Sequence, residues 1–195
     1  MARIGLKSGK YNFLDYTTNK YKALTDGKVP CLEKIVDEKA SVEYNSAELY
    51  ASDGLAESDY SFKKGTLALT VANDDDKKDA ELLGNTYGED GEVTRNIADT
   101  SPEVAYGHIV TKQVNNVKMY KVEFFPRVKF NKITTDGKTR GEGVEFGTTS
   151  IEGVILPLET DFNGYKEGDW EKHKTFPTKA EAESYLDACL TPSVN

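Results

Sequence analysis

The chain has 195 residues, a net charge of −8 and 37% apolar residues, which include eleven Tyr and eight Phe. This length predicts one domain that buries a core without needing disulfides or metal ions, and the aromatic content excludes a disordered chain. The net acidity excludes tight nucleic-acid binding, which needs a concentrated basic surface. The N-terminus lacks the apolar run of a secretory signal, and the longest apolar run, 153–158, is too short to span a bilayer.

Apolar residues in the first 36 positions predict two short strands, Tyr11–Tyr16 and Leu32–Val36. The next segment, 40–71, predicts two longer strand regions joined by an acidic loop over Glu48–Glu57. The apolar residues of this loop are Leu49, Tyr50 and Leu55, and they flank the turn-forming pair Asp53-Gly54. Apolar groups on a surface loop are often there to be buried by a partner, so the segment indicates assembly rather than catalysis.

Period-2 alternation predicts further strands in the rest of the chain. They cover 62–71 (the second strand of the segment above), 104–111, 119–130 and 144–156. Pro126 interrupts the third of these, which predicts an edge position or a bulge. Turn-forming pairs separate the strands, at Asp26-Gly27, Asn115-Asn116, Asp136-Gly137 and Asn163-Gly164.

Two helices are predicted by their capping signals. Residues 73–84 begin with a capping side chain followed by acids and end at Gly84. Thr178–Glu181 forms a capping box before a helical pattern that Pro192 ends. The sum is one α+β domain, mainly β: an antiparallel β-sandwich flanked by a short helix, with a long interface loop and a C-terminal helix.

Charge is unevenly distributed along the chain. Residues 74–103 contain ten acids and three bases, whereas residues 108–140 contain eight bases and two acids. Complementary blocks of this kind suit contacts between copies of one chain, although solvated faces explain them equally well.

The sequence contains no recognisable catalytic signature. His108 and His173 have no nucleophile or ligand partner nearby in sequence, so both are interpreted as packed or solvated side chains. Asp74–Asp76 fits helix capping better than a calcium loop. Cys31 and Cys189 are far apart and are interpreted as reduced thiols. We therefore expect no enzyme activity, metal or cofactor.

Five blocks of sequence resemble the major tail proteins, or tail-tube proteins, of bacteriophages with long non-contractile tails, especially those of Gram-positive hosts. Following an opening Met-Ala-Arg-Ile-Gly-Leu-Lys, the blocks are AELYASDGLAE (Ala47–Glu57), the strand that follows to Val71, AELLGNTY (Ala80–Tyr87), PEVAYGHIV (Pro102–Val110) and EGVEFGTTSIEG (Glu142–Gly153). The resemblance extends to about Leu156 and lies in pattern and order.

The resemblance implies a structural virion protein whose hexameric rings stack into a hollow tube through which DNA passes at ejection. The implied unit is a single tail-tube domain over 1–195, with an N-terminal arm and first strands in 1–36 and a more variable extension with a helix in 157–195. Implied partners are other copies of the chain, a tape measure protein, and tail initiator and terminator proteins. DNA is only in non-specific transit, no membrane is involved, and assembly takes place in the host bacterial cytoplasm.

Two sets of residues are assigned roles on this basis. The subunit interface is assigned to the loop residues Leu49, Tyr50, Asp53, Gly54 and Leu55. A tube that passes DNA should repel phosphate. The candidate lumen-facing acids are Glu43, Glu48, Glu57, Asp59, Glu145 and Glu152.

Other readings remain open. A carbohydrate-binding β-sandwich, as a receptor-binding or decoration protein, would use Tyr50, Tyr60 and Trp170 as sugar platforms. A ring-forming tail connector would assemble without stacking. An enzyme on a β scaffold has the least support, because histidines are few and motifs are missing.

Overall fold

The computed structural model describes residues 2–51, 54–72, 75–135 and 148–193. In these ranges the strands are β1 (Ala2–Asp15), β2 (Lys20–Tyr21), β3 (Cys31–Leu32), β4 (Ile35–Ala51), β5 (Gly54–Val71), β6 (Thr86–Tyr87), β7 (Val93–Thr94), β8 (Glu103–Val114), β9 (Val117–Thr135), β10 (Thr149–Ile155) and β11 (Lys172–Phe176). The helices are α1 (Asp76–Leu83) and α2 (Lys179–Leu190).

Nine strands form one antiparallel sheet in the order β2-β1-β8-β9-β10-β5-β4, with β3 paired to β1 and β11 to β9. Strands β6 and β7 pair separately. The predicted class is confirmed: the fold is mainly β, antiparallel and carries two helices. The first residues, 2–15, are not apart from this sheet, because they pair with β8 as β1.

Local sequence explains the central hairpin of the sheet. Asn115 and Asn116 both have positive φ, 49° and 64°, which is the geometry of the tight turns that join antiparallel strands. They connect β8 to β9 as predicted. In β9, Pro126 lies in a bulge. Phe125 pairs with Tyr106 and Val128 with Val104, so β9 uses one residue more than β8 between these two pairs. The predicted bulge is confirmed, although β9 is a central strand and not an edge.

Both faces of β8 are buried, each against a different core. One core takes side chains from the concave side of the sheet, among them Tyr106, Phe130, Leu67 and Ile155. The other lies under α2, where Leu186 packs with side chains of β8 and β9. The chain is sandwich-like because the sheet curls over the first core while α2 covers the second.

The capping predictions for both helices are confirmed. The Asp75 carboxylate accepts a hydrogen bond from Lys78 N at the start of α1, and Gly84 ends that helix with φ of 74°. Thr178 Oγ1 accepts from Glu181 N at the start of α2. These bonds satisfy backbone donors that a helix end leaves free.

The curl of the sheet brings β4 against β1. Ile35 of β4 occupies the space beside Gly9 of β1, where a Cβ would lie 2.1 Å from Ile35 Cδ1 and 3.2 Å from the Tyr106 hydroxyl. In the described ranges no backbone pairing joins β4 to β1 or β2, so the sheet is curled without closing into a barrel. The contact between its two ends is made by side chains.

Candidate functional site

A two-stranded hairpin projects from the sheet. Strand β10 pairs with β5 only from Gly65 to Val71, whereas β4 pairs with β5 along its whole length to Gly54. Among the described residues, 43–51 and 54–64 therefore pair only with each other, and we call them the ribbon. At about 3.3 Å per residue, residues 54–64 extend roughly 35 Å beyond the seven paired positions of β10.

The predicted loop over Glu48–Glu57 is wrong in secondary structure. Leu49 pairs with Glu57, and Tyr50 pairs with Leu55 after a register shift, so the strands continue to Ala51 and resume at Gly54. Acids and a glycine favour a loop locally, but a long antiparallel register satisfies the backbone of both segments. Asp53 lies outside the described residues.

Exposed aromatic and aliphatic side chains lie along the ribbon and the strand that leads to it. Tyr60 is 64% exposed, Tyr44 53% and Val36 59%. An isolated pair of strands is marginally stable in water, and unpaired strand edges readily accept another chain. The ribbon therefore has the composition and geometry of a contact surface.

Trp170 packs where the ribbon meets the sheet. Its ring centroid lies 5.2 Å from that of Phe62 at an angle of 34°, and it rests against the concave core. This contact engages the ring within its own chain. Of the three residues suggested as sugar platforms, Tyr60 is exposed and Trp170 is partly buried, and the side chain of Tyr50 lies outside the described part of the structure.

The candidate lumen acids are divided between the ribbon and the sheet. Backbone pairing places Glu48 opposite Ser58, Glu57 opposite Leu49 and Asp59 opposite Ala47. Glu43 at the base of the ribbon is exposed, and its Oε2 lies 3.5 Å from Lys63 Nζ. Glu145 lies outside the described residues.

Glu152 lies on the exposed face of β10, opposite Ala68 in β5 and Lys132 in β9. It borders a groove whose walls also carry Lys39 and Lys64. The described part of this face thus carries lysines as well as Glu152 and is not a purely acidic wall.

A buried polar cluster links β4, the strand that leads into the ribbon, to the two central strands of the sheet. Glu38 of β4, His108 of β8 and Glu123 of β9 meet there, and we call them the Glu–His–Glu cluster. His108 Nε2 lies 3.0 Å from Glu38 Oε2 and 3.1 Å from Glu123 Oε2. The exposed fractions of the three side chains are 0% for His108, 2% for Glu38 and 7% for Glu123.

Charge stabilises this cluster against the cost of burial. Burial lowers the pKa of His108, but the hydrogen bonds and negative charges of Glu123 and Glu38 outweigh it and raise the pKa above its ordinary value. Burial raises the pKa of Glu123, but His108 and Lys121 reverse the effect and hold that pKa well below its usual range. Lys121 Nζ lies 2.5 Å from Glu123 Oε1.

The cluster was only partly foreseeable from sequence. His108 is packed, as predicted, and its two carboxylate partners come from other strands, away from it in sequence. Its pairing with Glu123 follows from the Asn115-Asn116 turn, which sets the two residues opposite each other. Glu38 comes from the far end of the sheet, and no local pattern indicates it.

The donor atoms of the Glu–His–Glu cluster lie within 4.8 Å of one another, and it is the one such group of three in the described ranges. The other histidine, His173, is exposed, with Nδ1 3.0 Å from Glu171 Oε1. The described helices include none that is both long and apolar enough to cross a membrane.

Comparison with known proteins gives no family assignment: the chain matches no protein-family model and no curated protein.

Proposed function

We propose that this protein is a structural subunit that assembles with copies of itself, and specifically a tail-tube protein whose stacked hexameric rings form a hollow phage tail. The observation that carries the proposal is the ribbon. A monomer gains little from extending two strands roughly 35 Å past its own sheet, because the described backbone of the ribbon pairs only with itself, and Trp170 packs on it at Phe62, near its base.

Unpaired strand edges support the same function. Strand β4 ends the sheet on one side and β2 on the other, and both are open in the described chain. Proteins that leave edges open risk unspecific pairing unless a defined neighbour covers them. In a ring, pairing between adjacent subunits removes such edges by symmetry.

Exposed tyrosines supply the apolar part of the contact. Tyr44 and Tyr60 each leave more than half of their surface open although both lie in paired strands. Tyrosine combines a large apolar ring with a polar hydroxyl and is enriched at protein interfaces. The ribbon residues Leu49, Tyr50 and Leu55 remain the proposed anchors, now as strand residues.

The mixed charge of the sheet face refines the lumen hypothesis. Glu43 and Glu152 each have a lysine near them, so a wall built from this face would be close to neutral locally. Such a wall avoids the continuous basic path that would hold DNA. The lumen therefore need not be uniformly acidic to let DNA pass.

The test uses the full chain and a variant with a shortened ribbon. In the variant, Asn-Gly replaces residues 48–58, which joins Ala47 to its own partner Asp59 by a two-residue turn. Size-exclusion chromatography and negative-stain electron microscopy compare both proteins over a concentration series. We expect hollow tubes with a regular axial repeat from the full chain and folded monomers or unstacked rings from the variant.

Other outcomes separate the alternatives. Isolated rings from the full chain would favour the tail connector. A full chain that stays monomeric at every concentration, and also with an assembled tail initiator as seed, would contradict self-assembly. Equal assembly of the variant and the full chain would remove the ribbon from the interface.

A further inference from the structure

We propose that Glu38, His108 and Glu123 form a binding site for one divalent transition-metal ion, with Zn²⁺ as the best fit. The site does not depend on the proposed function. It rests on three observations: the separation of the donor atoms, the chemistry of the donor set, and buried polar atoms that have no hydrogen-bond partner among the described residues.

The separation of the donor atoms matches a metal site. Zn–N and Zn–O bonds are about 2.0–2.2 Å, so neighbouring ligand atoms of a tetrahedral zinc site lie roughly 3.3 Å apart. His108 Nε2 lies 3.0 Å from Glu38 Oε2 and 3.1 Å from Glu123 Oε2, and all three atoms fall within 4.8 Å of one another. A small shift of side chains is enough to seat the ion between them.

The donor set selects the metal. Two carboxylates neutralise the charge of a divalent ion, and a neutral imidazole adds a nitrogen that Zn²⁺ binds readily. Ca²⁺ and Mg²⁺ prefer oxygen ligands throughout, and Mg²⁺ keeps several waters. A nitrogen donor in a closed, buried cluster is therefore unfavourable for both.

One oxygen of this cluster has no hydrogen-bond partner in the described part of the chain. Glu38 Oε1 is buried and makes no hydrogen bond to the described protein. With both of its oxygens, Glu38 can bind bidentately, so that Glu38, His108 Nε2 and Glu123 Oε2 supply the four ligand atoms typical of zinc. No further residue is required.

Neighbouring groups orient the ligands. Lys121 holds Glu123 Oε1, which leaves Oε2 directed at His108. Tyr106 stacks beside the His108 ring at 5.8 Å, and its buried hydroxyl has no hydrogen-bond partner in the described protein. Outer groups of this kind commonly fix the position of metal ligands.

A proton on Nε2 is the competing occupant of the same space. One N–H makes one linear hydrogen bond, whereas two carboxylate oxygens lie about equally close to Nε2. A metal ion contacts both at once. The ion would also link β4 to β8 and β9. In the described sheet no backbone pairing joins β4 to either of these two strands.

The test titrates the full chain, freed of metal by a chelator, with Zn²⁺, Co²⁺ and Mg²⁺ separately. Calorimetry gives stoichiometry, thermal unfolding gives the stabilisation, and the visible spectrum of Co²⁺ reports ligand geometry. We expect one Zn²⁺ or Co²⁺ per chain, a raised Tm and a tetrahedral cobalt spectrum, with no effect of Mg²⁺. Glu38→Gln and His108→Gln should weaken binding by about tenfold or more.

The matched control is His173→Gln, which removes the exposed histidine and should leave binding unchanged. Binding that survives Glu38→Gln and His108→Gln but is lost in His173→Gln would overturn the proposal, as would a folded wild-type chain with no saturable site. If the cluster variants unfold, the ¹⁵N shifts of the two histidine rings in the wild-type chain decide the question. Only a metal-dependent shift at His108 Nε2 supports the site.

Discussion

Arg127 and Glu103 form an ion pair with two parallel hydrogen bonds between the central strands. Arg127 Nε lies 2.6 Å from Glu103 Oε2, and Nη2 lies 2.9 Å from Oε1. Both side chains are mostly buried, and Arg127 lies in the bulge that Pro126 introduces into β9. The pair therefore fixes the point where the β8–β9 ladder is irregular, and Tyr16 adds a further hydrogen bond to the same carboxylate.

Acid should weaken the fold through this pair. Partial burial opposes ionisation, but the hydrogen bonds from Arg127 and Tyr16 hold the pKa of Glu103 below its ordinary value of 4.5. Since the folded-state pKa is the lower one, the pair contributes stability above about pH 4.5 and loses it as pH falls through the folded-state pKa. Urea unfolding between about pH 2.5 and 7 should show a shallower pH dependence for Glu103→Gln than for the wild-type chain.

The same variant tests the strength of the pair at neutral pH. Glu103→Gln should lower the free energy of unfolding by about 1.5–3 kcal/mol, the range for hydrogen bonds to charged groups. The control is Glu159→Gln, because Glu159 also contacts Arg127 but is 79% exposed. Glu159→Gln should lower the free energy of unfolding by less than about 1 kcal/mol. Equal effects of the two variants would contradict the assignment.

Close packing of α2 on the sheet should make Gly107 intolerant of a side chain. A Cβ there would lie 2.5 Å from Leu186 Cδ1 and 3.2 Å from Glu123 O. Gly107→Ala should destabilise the protein by about 1–3 kcal/mol through overpacking, measured by thermal or urea unfolding. Gly5→Ala is the control, since a Cβ at Gly5 meets no atom within 4 Å. A neutral Gly107→Ala would show that α2 can move away.

The cap of α2 should be measurable by itself. Thr178→Ala removes the acceptor of the Glu181 N–H bond and should lower the free energy of unfolding by about 1 kcal/mol. Thr178→Ser keeps the hydroxyl and should retain most of the stability. If alanine and serine have the same effect, the hydroxyl does not cap the helix in solution.

Ribbon aromatics should affect assembly and not folding. Tyr60→Ala and Tyr50→Ala should weaken polymerisation, because an interface anchor is commonly worth about 2 kcal/mol or more and the loss recurs at every contact. The measurement is the critical concentration by sedimentation, with the Tm as a check on folding. Ile97→Ala removes a fully exposed apolar side chain outside the ribbon and should assemble normally. Unchanged critical concentrations for both tyrosine variants would argue against the ribbon interface.

Charge reversal tests the lumen assignment. Glu152→Lys and Glu43→Lys each place a new cation beside existing lysines, so at lumen positions they should slow DNA passage by attracting phosphate. In phage particles carrying these variants, genome ejection should slow while tail length stays the same. Normal ejection would remove these two residues from the lumen.

The sequence predicted best those features that depend on near neighbours. The Asn115-Asn116 turn, the Thr178 cap and the Pro126 bulge each follow from residues within a few positions. The sequence prediction made the ribbon strands too short, because their acids and glycine favour a loop. The register of β4 with β5 depends on the pairing along both whole strands. The pairing of Glu38 with His108 requires the sheet to curl, and curvature is not encoded in any short segment.

Strand order along the chain also determines when each part of the fold can form. The ribbon and the β8–β9 hairpin join consecutive strands, so both can form as soon as they are synthesised. The pairing of β1 with β8 must wait, because Phe13 pairs with Val104 and Ala2 with Gln113, whereas the short pairings of β1 with β2 and β3 are local. Such distant pairing slows folding. On the ribosome, the ribbon strands can therefore pair before the β1–β8 ladder exists, and the concave core closes only after more than half of the chain has emerged.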